Sequence, residues 1–165
     1  MKRIVFVICL ALAFASVAAA GTGGGSATGG AHLTVHNVFG LQTLELQTFA
    51  FNAKAAGDGS ADGWFNYHEL DDGAPFTANG PVTCLTVIGN DAWIGGVIRR
   101  SNDPTYEGLG AWWHVTDNGE GANAAPDVTT FMGAGSLADT RAFCDNHPAY
   151  RHPFPIDDGN IQVRD

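Results

Sequence analysis

Basic residues are scarce in this chain. Eight Lys and Arg stand against seventeen Asp and Glu in 165 residues, for a formal net charge of −9. No basic cluster is larger than Arg99-Arg100. A chain this acidic repels nucleic acid and anionic lipid, which excludes both as expected partners. Long apolar runs are also lacking. Residues 4–17 come nearest, and they fall short of the ~20 residues that a membrane-spanning helix needs. No segment sustains a 3.6-residue apolar period, so a helical bundle is not expected. Three cysteines are too few for a disulfide-dense scaffold. The serines Ser60, Ser101 and Ser136 are not in a G-x-S-x-G context, which removes the signature of the α/β-hydrolase nucleophile.

What is present begins with an address. Met1-Lys2-Arg3 is basic, residues 4–17 are almost wholly apolar, and Ala18-Ala19-Ala20 supplies small residues. This is the pattern of a secretory signal peptide over residues 1–20. The alternatives are a membrane anchor, for which the run is short, and lipidation of Cys9, which sits inside the run after Val7-Ile8. Cleavage after Ala20 removes Lys2 and Arg3 and takes the net charge from −9 to −11. The expected location is extracytoplasmic, either periplasmic or secreted. Cys9 leaves with the signal, and an even pair, Cys84 and Cys144, remains. In an oxidising compartment that pair reads as a disulfide. A metal site on Cys144-x-x-His147 and free thiols are the competing readings.

Residues 21–30, GTGGGSATGG, have almost no side chains to bury and read as a flexible linker. Residues 31–165 are then one domain, enough for a single core. Period-two alternation runs through most of it. Leu33 and Val35 share a face. In residues 43–53, Leu44 and Leu46 read as inward, followed by Phe49 and Phe51. That change of phase near Gln47-Thr48 predicts a β-bulge. Further strands are predicted at 63–70, 82–88, 92–100, 111–117, 127–132 and 160–164. Gly89-Asn90 is the clearest hairpin turn. Gly95-Gly96 predicts a bulge, a bend or a close backbone approach. Residues 136–145 admit a helical turn or two. The expected fold is all-β, a single antiparallel β-barrel or β-sandwich with one disulfide. The glycine kinks lean toward a curved sheet or barrel.

Several segments resemble a group of exported bacterial β proteins. They are Val82-Thr83-Cys84-Leu85, Gly89-Asn90, Val115-Thr116-Asp117-Asn118-Gly119-Glu120-Gly121 with Ala125-Pro126-Asp127, Cys144, and Gly159-Asn160-Ile161-Gln162-Val163. The resemblance spans most of residues 49–163. It implies secretion, an all-β fold and paired cysteines, and no mechanism. The aspartate-rich stretch 67–80 and the pair Trp112-Trp113 lie outside the pattern.

Three sets of residues carry candidate chemistry. Asp117, Asn118, Glu120 and Asp127 offer the oxygen ligands that calcium prefers, without the spacing of an EF-hand loop. The competing reading is a strand ending in an Asn-Gly turn with a solvated tip. Glu69, Asp71 and Asp72 offer carboxylates for a glycosidase-type pair, against the simpler reading of a turn at Leu70-Asp71-Asp72-Gly73. Trp64, Tyr67, Trp112 and Trp113 are candidate ligand-binding aromatics, against ordinary packing. The histidines carry less. His32 and His36 sit about 13 Å apart along a strand, while His147 and His152 lie in a Pro-rich loop. No cofactor is certain, with calcium the one candidate. The expected function is a non-catalytic exported module that binds a small ligand or joins an envelope or extracellular protein assembly. The alternative is a carboxylate-dependent secreted hydrolase using Glu69, Asp71, Asp72, Asp117 or Glu120.

Overall fold

The computed structural model describes residues 24–36, 44–71, 73–121, 123–150 and 153–165. The expected signal peptide, Asp72 and His152 lie outside these residues. In chain order the elements are β1 (Ser26–His36), β2 (Leu44–Ala55), β3 (Ala61–Asp71), β4 (Ala74–Ile88), β5 (Asp91–Val97), β6 (Arg100–Ser101), a 3-10 turn at Pro104–Tyr106 and β7 (Gly110–Thr116). Then come β8 (Val128–Thr129), β9 (Gly133–Gly135), α1 (Leu137–Asn146), β10 (Phe154–Pro155) and β11 (Asp158–Arg164). All strands join one antiparallel sheet in the order β10-β8-β7-β5-β4-β3-β2-β1-β11, with β6 added to β4 and β9 to β7. The sheet curls into a half-barrel, which decides between the two all-β architectures expected.

The core fills the concave face. Leu33 and Val35 of β1, Phe49 and Phe51 of β2, Phe65 and Tyr67 of β3, Ile94 of β5, Trp113 of β7 and Ile161 of β11 are all buried there. Phe51 and Phe65 meet Trp113 at ring-centroid distances of 5.8 and 5.4 Å. Rings of this size need small partners across the sheet. Ala31 pairs with Phe49 and Gly29 with Phe51. A Cβ on Gly29 would lie 3.0 Å from the Phe51 ring and 3.1 Å from Ile161.

That contact overturns the linker expected at residues 21–30. From Ser26 onward the glycine-rich segment is β1, paired with β2 on one side and β11 on the other. Its glycines and alanines leave room for phenylalanine on the neighbouring strand. Residues 21–23 lie outside the description.

A second correction concerns β2. Its pairing with β1 and β3 runs without a register shift, so there is no bulge at Gln47-Thr48. The inward positions are Glu45, Gln47, Phe49, Phe51 and Ala53, while Leu44 and Leu46 face out at 43% and 41% exposure. What changes along β2 is the polarity of the inner face and not its phase. The bulge lies elsewhere, in β4 between Val82 and Cys84. It turns Cys84 to the convex side, while Val82 and Leu85 stay buried in the core.

On the convex side α1 is started by a capping box. The Ser136 hydroxyl accepts from the Asp139 N–H, and the Asp139 carboxylate accepts from the Ser136 N–H. A Cys84–Cys144 disulfide, with Cα atoms 6.2 Å apart, ties the helix to β4. Gly95 is the close approach expected of it. A Cβ there would lie 2.6 Å from Cys84 Sγ and from Thr140. The cysteine pairing also removes Cys144 as a metal ligand.

Candidate functional site

The polar end of the concave face is the candidate site. Because β2 keeps its phase, Glu45 and Gln47 point the same way as the phenylalanines beyond them. Across the pairing, Glu45 faces Asp71 and Gln47 faces Glu69 on β3. A cleft of about 450 Å³ opens beside them, lined by Tyr67, Glu69, Asp71, Phe76 of β4, Tyr106 of the 3-10 turn, and Met132. Its aromatic wall is continuous. Tyr67 lies 6.3 Å from Phe76, and Phe76 lies 4.9 Å from Tyr106, both edge-on. Tyr67 and Met132 also line a narrow apolar crevice of about 10 Å³ running inward to Phe49, Phe65 and Trp113. That is room for a single water.

The hydrogen bonds at this mouth are incomplete. Tyr67 donates to Glu69 Oε2 at 3.2 Å, and Gln47 Nε2 reaches Glu69 Oε1 at 3.5 Å. Gln47 is 2% exposed, yet its Oε1 has no hydrogen-bond partner. Partial burial, then the charge of Glu69 and a hydrogen bond with it, push Glu45 up to about 7. The charge of Asp71 acts in the same sense, and a bond from Gln47 opposes it. Two hydrogen-bonded carboxylates share a proton more readily than they carry two charges. Burial, followed by the Glu69 charge, likewise raises Tyr67 far above its ordinary value, so its hydroxyl stays protonated.

The acidic loop has a different occupation. Asp117 accepts from the backbone N–H of Gly119 and, across the seam, of Val163. Asp127 accepts from Asn118 and from Ile161, and it is 5% exposed. Glu120 accepts from the side chains of Asn160 and Gln162, which lower its proton affinity. The Asn118 amide donates to the Pro126 carbonyl. All three carboxylates thus accept from β11 on the side away from β1. Among the described residues no group of three or more acidic, His or Cys side chains is placed to hold a metal ion.

The candidate aromatics do not gather. Trp64 faces out at 41% exposure. Trp113 is core, with its indole Nε1 unpartnered. Trp112 lies under β9 and beside Phe143 of α1. Only Tyr67 belongs to the mouth. Of the hydrolase candidates, Glu69 and Asp71 line the cleft, while Asp117 and Glu120 belong to the seam.

A second polar cluster lies on the convex side. His114 is buried between Trp93 and Tyr150, with ring centroids at 4.7 and 5.8 Å. Its Nε2 stands 2.9 Å from Asp91 Oδ1, at an angle that makes no proper hydrogen bond. Burial lowers its proton affinity against the pull of Asp91. Trp93 donates to the Pro148 carbonyl. These contacts fasten the segment after α1 to the sheet.

Glu45, Gln47, Phe76, Tyr106 and Met132 were not singled out by sequence reasoning. A signal for the first two exists. Holding the β2 period fixed from Phe51 backward puts Gln47 and Glu45 on the inner face. No family model, curated protein or solved structure matches this chain.

Proposed function

We propose that this is a non-catalytic, exported binding module whose site is the mouth of the half-barrel, where it takes a small ligand. The observation that carries the reading is the switch of the inner face from phenylalanine to Glu45, Gln47, Glu69 and Asp71 beside a cleft walled by Tyr67, Phe76 and Tyr106. A packed core has no use for that switch. Ligand sites combine apolar walls with a few convergent polar groups, and this one sets its carboxylates on strands β2 and β3. Export is supported by the pattern of residues 1–20 and by the Cys84–Cys144 bridge. Assembly through β11 has less support, because the seam carboxylates already occupy that edge.

The test is a titration with benzyl alcohol, benzylamine and benzoate, followed by amide chemical shifts. Binding of any of them should move Glu69, Asp71, Phe76 and Tyr106 first. Shifts confined to other surfaces, or none at millimolar ligand, would overturn the assignment. A second reading, a carboxylate-dependent hydrolase, is favoured by the hydrogen-bonded Glu45–Glu69 pair alone. Turnover of nitrophenyl glycosides or esters that Glu69→Gln abolishes would establish it.

A further inference from the structure

We propose that the ligand of this mouth is a small organic cation, bound in exchange for a proton held between Glu45 and Glu69. The inference rests on the mouth being the binding site, and it adds the charge of the ligand and the ion that it displaces.

Four observations converge. First, Glu69 and Asp71 line the cleft from one strand, and Glu45 stands across from Asp71. Second, the same cleft is lined with aromatic rings next to these carboxylates, Phe76 pairing with Glu69 across β3 and β4. Tyr67, Phe76 and Tyr106 present ring surfaces of the kind that attract ammonium groups. Third, these carboxylates do not converge as a metal cluster does, so an extended cation suits the site better than a bare ion. Fourth, Gln47 is almost wholly buried with its amide nitrogen against Glu69 and its Oε1 unpartnered. A buried acceptor without a donor is costly, and the hydroxyl of a protonated glutamate beside it is a donor of the right kind.

The groups bearing on Glu45 are Glu69 and Asp71 from β3 and Gln47 on its own strand, and none is cationic. Val35 faces it from β1. With no counter-charge beside it among the described residues, the pair at neutral pH keeps one proton in place of a second negative charge. An entering ammonium supplies the missing positive charge. The proton then leaves for solvent, one positive charge replaces another, and the net charge of the mouth is unchanged.

The sign of the pH effect follows. Binding favours the doubly ionised pair, so affinity rises with pH through about 7, the value to which Glu45 is pushed. For one linked proton, benzylamine should bind about tenfold more tightly at about pH 8 than at about pH 6. Calorimetry near pH 7 in phosphate and in Tris should show net proton release. Glu45→Gln removes the exchangeable proton and should flatten the pH dependence of benzylamine binding between about pH 6 and about pH 8, at whatever affinity the variant keeps; a variant that still gains about tenfold over that range would overturn the role of the pair. Benzyl alcohol should bind at least about tenfold more weakly than benzylamine, and benzoate more weakly still. Equal binding of the alcohol and the amine at the mouth would overturn the cation and leave the mouth as the site. Wild-type affinity independent of pH would overturn the proton exchange. Absence of all three compounds from the mouth would overturn both readings.

Discussion

Asp127 ties three segments of the chain together. Its two carboxylate oxygens accept backbone N–H groups from opposite sides of the seam, Asn118 in its own loop and Ile161 in β11. Its backbone carbonyl accepts from Ile156. Removing the carboxylate leaves a buried strand N–H without a partner. Asp127→Ala should therefore lower stability by about 3 kcal/mol. Urea unfolding at fixed pH checks this, and a loss under about 1 kcal/mol would mean that the seam is dispensable. A calcium ion at these carboxylates would have to share oxygens that already accept the seam hydrogen bonds. The residue-scale lesson is that composition shows which groups are acidic but not what they accept. Asp117, Asn118, Glu120 and Asp127 have the chemistry of a cation loop. Besides the local N–H groups of Gly119 and Asn118, the three carboxylates accept from Ile161, Val163, Asn160 and Gln162, far along the chain, and no local pattern names those four.

At the scale of elements, β1 and β2 depart from expectation in opposite ways. β1 reads as a linker because glycine suggests freedom, yet its small residues are spacers for rings on the next strand. Gly29→Val should cost about 2–3 kcal/mol, since the added carbons meet Phe51, Ile161 and the Asn160 carbonyl. Gly24→Ala should be neutral, as nothing lies within 4 Å of a Cβ there. Denaturant midpoints of the two variants give the comparison, and equal values would contradict the pairing of β1. In β2, Leu44 and Leu46 drew the inner face to themselves because apolar side chains usually point inward. Near the open end of a curled sheet that rule weakens, and polar residues occupy the concave side instead. Elsewhere local chemistry was enough. The alternation of Leu33 and Val35, the Gly89-Asn90 turn and the β11 strand are each set by residues in contact or nearly so. The helix at Leu137–Asn146 is longer than its weak apolar period suggested, because its cap and its disulfide hold it.

For the whole molecule, one covalent link joins the two layers. The disulfide closes a separation of 60 residues between β4 and α1. On the chain-entropy model that contributes up to about 4 kcal/mol. The double variant Cys84→Ala, Cys144→Ala should unfold at a correspondingly lower urea concentration while keeping the circular dichroism of a β protein. Unchanged stability would show that aromatic packing around Trp93, Phe143 and Tyr150 holds the helix alone. The all-β class and the single bridge were legible from turn spacing and from an even cysteine count. The glycine kinks leaned toward the curved sheet that is found, whereas the pairing of β11 with β1 across nearly the whole chain has no local signal.

That pairing sets a timetable. The first strand lies between the second and the last, so one side of β1 stays bare until β11 has been made. The N-terminal strands are thus unable to complete their sheet on the ribosome, and non-local pairing of this kind is slow. The export proposed above would benefit from the delay, because translocation through a secretion channel needs an extended chain. Here the last strand serves as a latch, engaged by the seam carboxylates once β11 has been made. A chain that stops before Phe154 would instead keep an open β1 edge, with aggregation as the expected fate.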